Sequence, residues 1–303
     1  MANRRKKSAV KPLTAVIILI LAVISVVFGL GDKTLDTNPT TAVTVNVPEA
    51  DSVTVHFIDV GQGNSTLIQC GTSGVLIDGG EKEYGHDVCN YLKAHGIEKL
   101  GCVIATHPHS DHIGGLITVL KSFPVDNIIM PRLTEENTPT TSTYEDFLTV
   151  ISEKKTKVLA AKPGNTYTFP NCSLEILGPV SQDEKLNNMS VVCRLEAFST
   201  SFMLLADAEK KELREIASMG AELRADVLQA GHHGSETSVL KSYLDAVNPE
   251  YAVISCGKNN KYGFPHEEII SYLKTNHIEY YRTDLLGSIV FTCTKDGVKI
   301  TSE

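Results

Sequence analysis

The sequence predicts an α/β fold in which two β-sheets face each other and carry helices on their outer sides. Three observations lead there. Short, β-branched strands separated by glycine turns come first, in runs that suit antiparallel pairing. Strands then alternate with helical spacings, the pattern of parallel crossovers. Finally, Asp78, His107, Asp207 and His232 each stand at or just after the end of an apolar strand, and strand carboxyl ends are where α/β folds collect ligand groups.

The chain opens on a different kind of segment. Arg4, Arg5, Lys6 and Lys7 precede eighteen uncharged residues, 13–30; a bilayer span takes about 20 and a signal-peptide core only ~7–15. Residues 1–12 read as a basic cytoplasmic tail and 13–30 as a transmembrane anchor, so the remainder faces outward at the cell membrane. Cleavage near Gly29 or Gly31 would secrete it instead. Residues 31–51 crowd Thr, Asn, Asp and Pro between short apolar pairs and read as a flexible linker.

Residues 52–303 form the folded domain. Strands are read at 53–57, 65–70 and 75–78, followed by a helix at 87–95 that stops at Gly96. Strand 102–105 delivers a histidine-rich loop, and 113–122 has helical apolar spacing. Residues 127–130 read as a strand and 143–153 as a helix after a Thr-rich loop. Phe169, Leu174, Ile176 and Leu177 mark a hairpin; 191–196 and 202–205 mark another pair. Helices at 210–218, 238–247 and 267–276 alternate with strands at 227–229, 252–255, 279–282 and 288–292.

The composition, 42% hydrophobic and 21% charged, is that of a globular chain with a sizeable core. Its seven cysteines form no Cys-x-x-Cys pair, and an odd count argues for buried thiols over a complete disulfide framework. All 36 acids follow residue 30, against 23 of the 28 basic residues, so the outward part carries a net charge of −13. Such a surface opposes tight nonspecific binding to polyanions. Histidines supply the strongest signal. His107, His109 and His112 fall within six positions, beside Asp111, in Val-Ile-Ala-Thr-His-Pro-His-Ser-Asp-His-Ile-Gly-Gly from Val103. In an extended loop His107 and His109 project to one side, and Asp111 and His112 open the next helix, the outline of a metal site. Asp207 ends an apolar strand and suits either a metal-bridging carboxylate or a helix cap. His232 lies in Gly-His-His-Gly-Ser and is the distant candidate ligand; Asp78 and Asp59 are candidates for standing behind the ligands.

These motifs belong together. Phe57-Ile-Asp-Val-Gly-Gln-Gly, Leu76-Ile-Asp-Gly-Gly, the histidine loop, Asn187-Asn-Met-Ser, Leu204-Leu-Ala-Asp, Gly231-His-His-Gly-Ser and Tyr262-Gly-Phe-Pro-His occur in one order. In that order the chain resembles the metallo-β-lactamase superfamily, and within it the hydrolase domain of the ComEC competence proteins, over about residues 53–293. The resemblance implies a four-layer αββα sandwich and a metal-dependent phosphodiesterase or deoxyribonuclease acting on DNA or another phosphodiester. It implies His107, His109, Asp111, His112, Asp207 and His232 as ligands of one or two divalent ions: zinc on the ligand chemistry, or manganese where histidines are few. Such an ion lowers the pKa of water from about 15.7 toward 7. Asp111 would orient that water, and His233 or His266 would protonate the leaving oxygen. Asn188, Ser190 and Ser235 are candidate substrate contacts.

Three features depart from the pattern. No histidine lies from Ile113 to Gly231, so one expected ligand is missing and Asn187, Asn188 or Ser190 stands near its place. Asn64 occupies a usual aspartate position, removing a charge near the substrate, and the family's membrane channel is absent from this sequence. Two other readings remain open: a hydrolase of another ester or amide, such as a cell-envelope phosphodiester or a lactam, and a binding module without catalysis. No obligate protein partner is implied.

Overall fold

A computed structural model describes residues 42–44, 50–169 and 171–303 of the chain. The predicted tail and anchor lie outside the described residues; among those described, no helix is long and apolar enough to cross a membrane. Part of the predicted linker is not loose. Strand β1 (Ala42–Thr44) pairs in parallel with β8 (Thr166–Phe169), because a short apolar run can add to an open sheet edge.

The first sheet begins with β2 (Val53–Phe57), β3 (Thr66–Cys70) and β4 (Ser73–Ile77), antiparallel to one another. Parallel strands β5 (Lys99–Ile104), β6 (Val125–Met130) and β7 (Lys157–Ala160) extend it on one side. On the other side lie β15 (Ile289–Thr294) and β16 (Gly297–Ser302). The second sheet repeats the plan. After β8 it runs antiparallel through β9 (Cys172–Ile176), β10 (Cys193–Ala197) and β11 (Thr200–Leu204). It continues in parallel through β12 (Val227–Gln229), β13 (Tyr251–Ile254) and β14 (Glu279–Arg282). Each sheet has eight strands.

Alternation fixes which faces meet. Val53, Val55 and Phe57 of β2 join Phe291 of β15 and Leu195, Phe202 and Leu204 of the other sheet in one core between the sheets. Each such side chain contributes about 1.5–3 kcal/mol on burial. Helices close the outer sides. α1 (Gly85–Ala94), α3 (Leu116–Ser122) and α4 (Ser142–Lys154) pack on one another beside the first sheet's parallel crossovers. α5 (Lys210–Ser218), α6 (Lys241–Val247) and α7 (Glu267–Thr275) bury Leu213, Tyr243, Leu244 and Leu273 against the second sheet. All seven cysteines are buried and unpaired.

The helix read at 113–122 is in fact two. α2 (Ser110–Ile113) stops before Gly114-Gly115, and α3 starts afresh. The break has a packing cause: a Cβ on Gly115 would overlap the Gly79 carbonyl oxygen. The Gly79 N–H donates to the His112 carbonyl at 2.8 Å and the Gly115 N–H to Gly80 at 2.9 Å. Backbone thus lies directly on backbone, and the loop after β4 fixes the loop that carries His112.

Candidate metal centre

β5 ends at the floor of the site and hands the chain to Thr106 and His107. His109 then occupies the residue before α2, and Asp111 and His112 sit in its single turn. From the other sheet, β11 leads into Asp207 through Ala206 at φ 47°, and β12 leads into the tight turn Gly231–Gly234. His232 and His233 both adopt left-handed backbone, φ 51° and 55°. Non-glycine residues held so cost about 1–3 kcal/mol each and concentrate at functional sites.

The side chains converge on Asp207. Its Oδ1 lies 3.2 Å from His112 Nε2 and 3.6 Å from His233 Nε2; its Oδ2 lies 3.8 Å from His107 Nε2 and 3.7 Å from His232 Nε2. Each of these four rings is held from behind at Nδ1. Asp78 Oδ2 takes His112 at 2.7 Å, and the Ser255 carbonyl takes His233 at 2.9 Å. Thr237 Oγ1 holds His232 at 3.0 Å, and Thr106 and Ser190 hydroxyls flank His107 at 3.2 and 3.4 Å. Partners of this kind set ring orientation and tautomer in metal sites. His109 differs, turning Nδ1 toward His107 Nε2 at 3.0 Å.

Two buried nitrogens, His112 Nε2 and His233 Nε2, make no hydrogen bond. Buried polar atoms are rarely left so. Two overlapping sets, His107 with His112 and Asp207, and Asp111 with His112 and His233, each bring one donor atom per residue within 4.8 Å of one another. Imidazole nitrogens and carboxylates are suitable donors for zinc or manganese, so the residues fit a divalent ion.

The electrostatics agree. Burial works against charge on His112, but Asp207, Asp78 and Asp111 outweigh it and raise its pKa well above the ordinary value. His233 is raised for similar reasons, chiefly by Asp207 against its own burial. Burial would raise Asp207 and Asp111 as well, yet the adjacent histidines pull both below the usual carboxylate range. His107, His109 and His232 are lowered, by burial first, and are therefore neutral and available as ligands near pH 7. Asp111, with its side chain one quarter exposed, reaches a cleft of about 600 Å³ also lined by His109, His232, His233, Gln62 and Phe264.

Several sequence-predicted roles change. His233, expected as a proton donor, stands in the tight group with Asp111 and His112, whereas His232 approaches the other Asp207 oxygen, which His107 also faces. Consecutive left-handed residues send the two rings to different sides, which the doubled motif cannot reveal. His266 lies behind the Phe264 ring, accepts the Glu236 N–H at 3.2 Å and does not line the cleft. Ser235, buried, accepts the Thr237 N–H and caps its own turn. Asn188 accepts the Glu209 N–H at 3.1 Å ahead of α5, and Ser190 accepts the Asp207 N–H at 3.2 Å; both are buried, and neither lines the cleft that Asp111 reaches. Asp59 spends Oδ1 on the Gly61 N–H at 3.0 Å and touches no candidate ligand. Asn64 is buried as well, donating to Asp78 at 3.3 Å and accepting from Gln229 at 2.7 Å, away from the cleft. Thr106, which donates to Asp78 through both N–H and Oγ1, was not anticipated; its only signal is its place before His107.

Residues 58–167 match the family model of the metallo-β-lactamase superfamily. ComE operon protein 3 of Bacillus subtilis is 31% identical over a 260-residue alignment that covers 78% of this chain and 32% of that protein. Competence protein ComA of Neisseria gonorrhoeae is 30% identical over 257 residues, 84% of this chain and 34% of that one. Among solved structures, the metallo-β-lactamase fold protein YhfI of Bacillus subtilis superposes with a TM-score of 0.52 at 16% identity, covering 80% of this chain and 100% of that one. The chain carries a metallo-β-lactamase superfamily domain. Its curated homologues, at about 30% identity, are competence proteins of the ComEC type, and it spans about a third of the length of those it matches.

Proposed function

We propose that this protein is a metal-dependent phosphodiesterase of the competence-nuclease kind, tethered outside the cell membrane by its hydrophobic stretch 13–30. The observation that carries the reading is the convergence of four histidine Nε2 atoms on the Asp207 carboxylate beside an open cleft. Asp111, His112 and His233 would hold one ion, and His107, His109 and His232, with Asp207, would offer donors to a second. An ion bound there supplies Lewis-acid polarisation and brings the pKa of water toward neutrality.

The chain's own residues do the rest. Asp78 and the Ser255 carbonyl keep His112 and His233 in the tautomer that leaves Nε2 free of its proton once an ion competes for it. Asp111 presents a carboxylate oxygen to the cleft, placed to accept a hydrogen bond from attacking water. The buried floor of Asp78, Thr106 and Asn64 excludes bulk water from beneath the ligands. The relatives' competence names and the exposed Lys258 and Lys261 beside the cleft support a phosphodiester substrate.

The test is hydrolysis of linear single- and double-stranded DNA and of bis(p-nitrophenyl) phosphate by the full chain with Zn²⁺ or Mn²⁺, with His109→Ala and Asp111→Ala as controls. Metal-dependent cleavage of DNA that both substitutions abolish is the expected result. Absence of metal-dependent turnover of any diester overturns the reading.

A further inference from the structure

Beside the metal centre the loop 257–264 raises an aromatic ring into solvent for which the hydrolytic machinery has no use. Tyr262 is 51% exposed, and among the described residues no other Phe or Tyr is exposed to that degree. Its ring lies nearly parallel to Phe264, centroids 5.3 Å apart and planes at 15°. Phe264 in turn packs edge-on against His232 at 5.4 Å and lies 6.1 Å from His233. A stack therefore runs from the candidate ligands outward and ends on the half-exposed Tyr262 ring, over which only the flexible Lys261 side chain reaches among the described residues.

That face is held in place. Asn260 Oδ1 accepts the N–H groups of Tyr262 (3.2 Å) and Phe264 (2.9 Å), while its Nδ2 donates to the carbonyls of Gly257 (2.9 Å) and Phe264 (2.7 Å). One carboxamide thus ties the loop at four points, so little ordering remains to be done when a ligand arrives. Tyr262 lines both the cleft of the metal centre and a neighbouring one of about 620 Å³. The second cleft carries charge of both signs. Lys258 and Lys261 line it, with Lys261 Nζ over the Tyr262 ring at 5.1 Å. Asp59, Glu81, Glu83, Asp111 and Asp284 line it as well.

We propose that Tyr262, backed by Phe264, is a base-stacking subsite that receives a nucleobase of a single-stranded polynucleotide, with Lys261 and Lys258 meeting the adjacent phosphates. Stacking on aromatic rings beside a basic track is how sequence-tolerant single-strand binding works. A diester without bases leaves the exposed ring unused. The proposal rests on the phosphodiesterase reading and deepens it by naming the substrate class.

The experiment is fluorescence anisotropy of a labelled twelve-residue oligothymidylate with the full chain in EDTA, which prevents turnover. It compares wild type, Tyr262→Ala and Tyr262→Phe, and repeats the titration with an abasic strand of equal length and charge. Alanine substitution at a stacking position weakens binding roughly 5- to 150-fold. Tyr262→Ala is expected to lose at least fivefold on the oligothymidylate and little on the abasic strand, with Tyr262→Phe within twofold of wild type. Equal binding by wild type and Tyr262→Ala, equal weakening on both strands, or no binding by wild type overturns the proposal. Metal-dependent hydrolysis of bis(p-nitrophenyl) phosphate by the wild type is scored separately. A stacking effect without hydrolysis keeps the subsite and removes the phosphodiesterase reading; hydrolysis without a stacking effect does the reverse.

Discussion

Replacing Asp78 by Asn tests the support beneath the metal centre, because it keeps the shape and turns one of the two acceptor oxygens into a donor. Asp78 is buried, and its Oδ1 accepts the Thr106 N–H at 2.9 Å. Oδ2 accepts from Thr106 Oγ1 and His112 Nδ1, both at 2.7 Å, and from Asn64 Nδ2 at 3.3 Å. An amide placed there has one acceptor and one donor end. If its NH₂ takes the Oδ2 position, it faces three donors; flipped, it faces the Thr106 N–H. The cheapest escape is for His112 to move its proton from Nδ1 to Nε2 and accept from the amide, which blocks the nitrogen aimed at Asp207. Loss of such a supporting group costs about 10- to 100-fold in metal affinity. One donor left without a partner costs roughly 1–3 kcal/mol of stability, or about 3–10 °C in a domain of this size. Zinc affinity by competition with a chromophoric chelator, and melting followed by circular dichroism, read the two effects. Asp78→Asn that binds zinc as tightly as wild type refutes the argument.

Three other outcomes follow from the same geometry. Glu212 of α5 is buried with Oε2 unpartnered, and burial pushes its pKa from 4.5 up to about 7. The unfolded chain ionises it first, so this group's stability is present below pH 4.5 and lost as pH rises to 7, about 3 kcal/mol in all. Glu212→Gln should therefore melt higher than wild type at pH 8 and close to it at pH 4.5; the same difference at both values would contradict the assignment. Gly115→Ala drives a methyl into the Gly79 carbonyl, and overpacking of this kind costs about 1–3 kcal/mol or more; thermal denaturation should show a drop of several degrees. Stripping metal with EDTA should lower the melting temperature, since an ion at a thousandfold its Kd adds about 4 kcal/mol to the folded state.

The two-sheet fold was legible from short β-branched or aromatic runs bounded by turns: 53–57 and 227–229, inside the sheets, and 279–282, an edge strand marked by Tyr280 and Tyr281, are read with the bounds the structure has. β7 and β16 were not read. Both are edge strands with no fully buried residue and, unlike β14 with its paired tyrosines, they carry lysines and no aromatic to mark them. Membership of the histidine–aspartate cluster was legible too, since strand ends and the local spacing of His107 to His112 constrain it. Division of labour within it was not. Whether His232 or His233 turns toward Asp111 depends on two positive φ angles, and a polar residue near a strand end looks the same whether it caps a turn, as Ser235 does, or meets a ligand. Tyr262 left no periodic signal because its position comes from the Asn260 hydrogen bonds inside one loop.

The measurement that decides whether the histidine–aspartate cluster is a metal centre is the number of metal ions per chain, by inductively coupled plasma mass spectrometry of the purified protein. The wild type should carry a bound divalent ion, His233→Ala one ion fewer, and His266→Ala the same number as the wild type. A metal-free wild type, or His233→Ala with the full complement, would contradict the metal-centre reading.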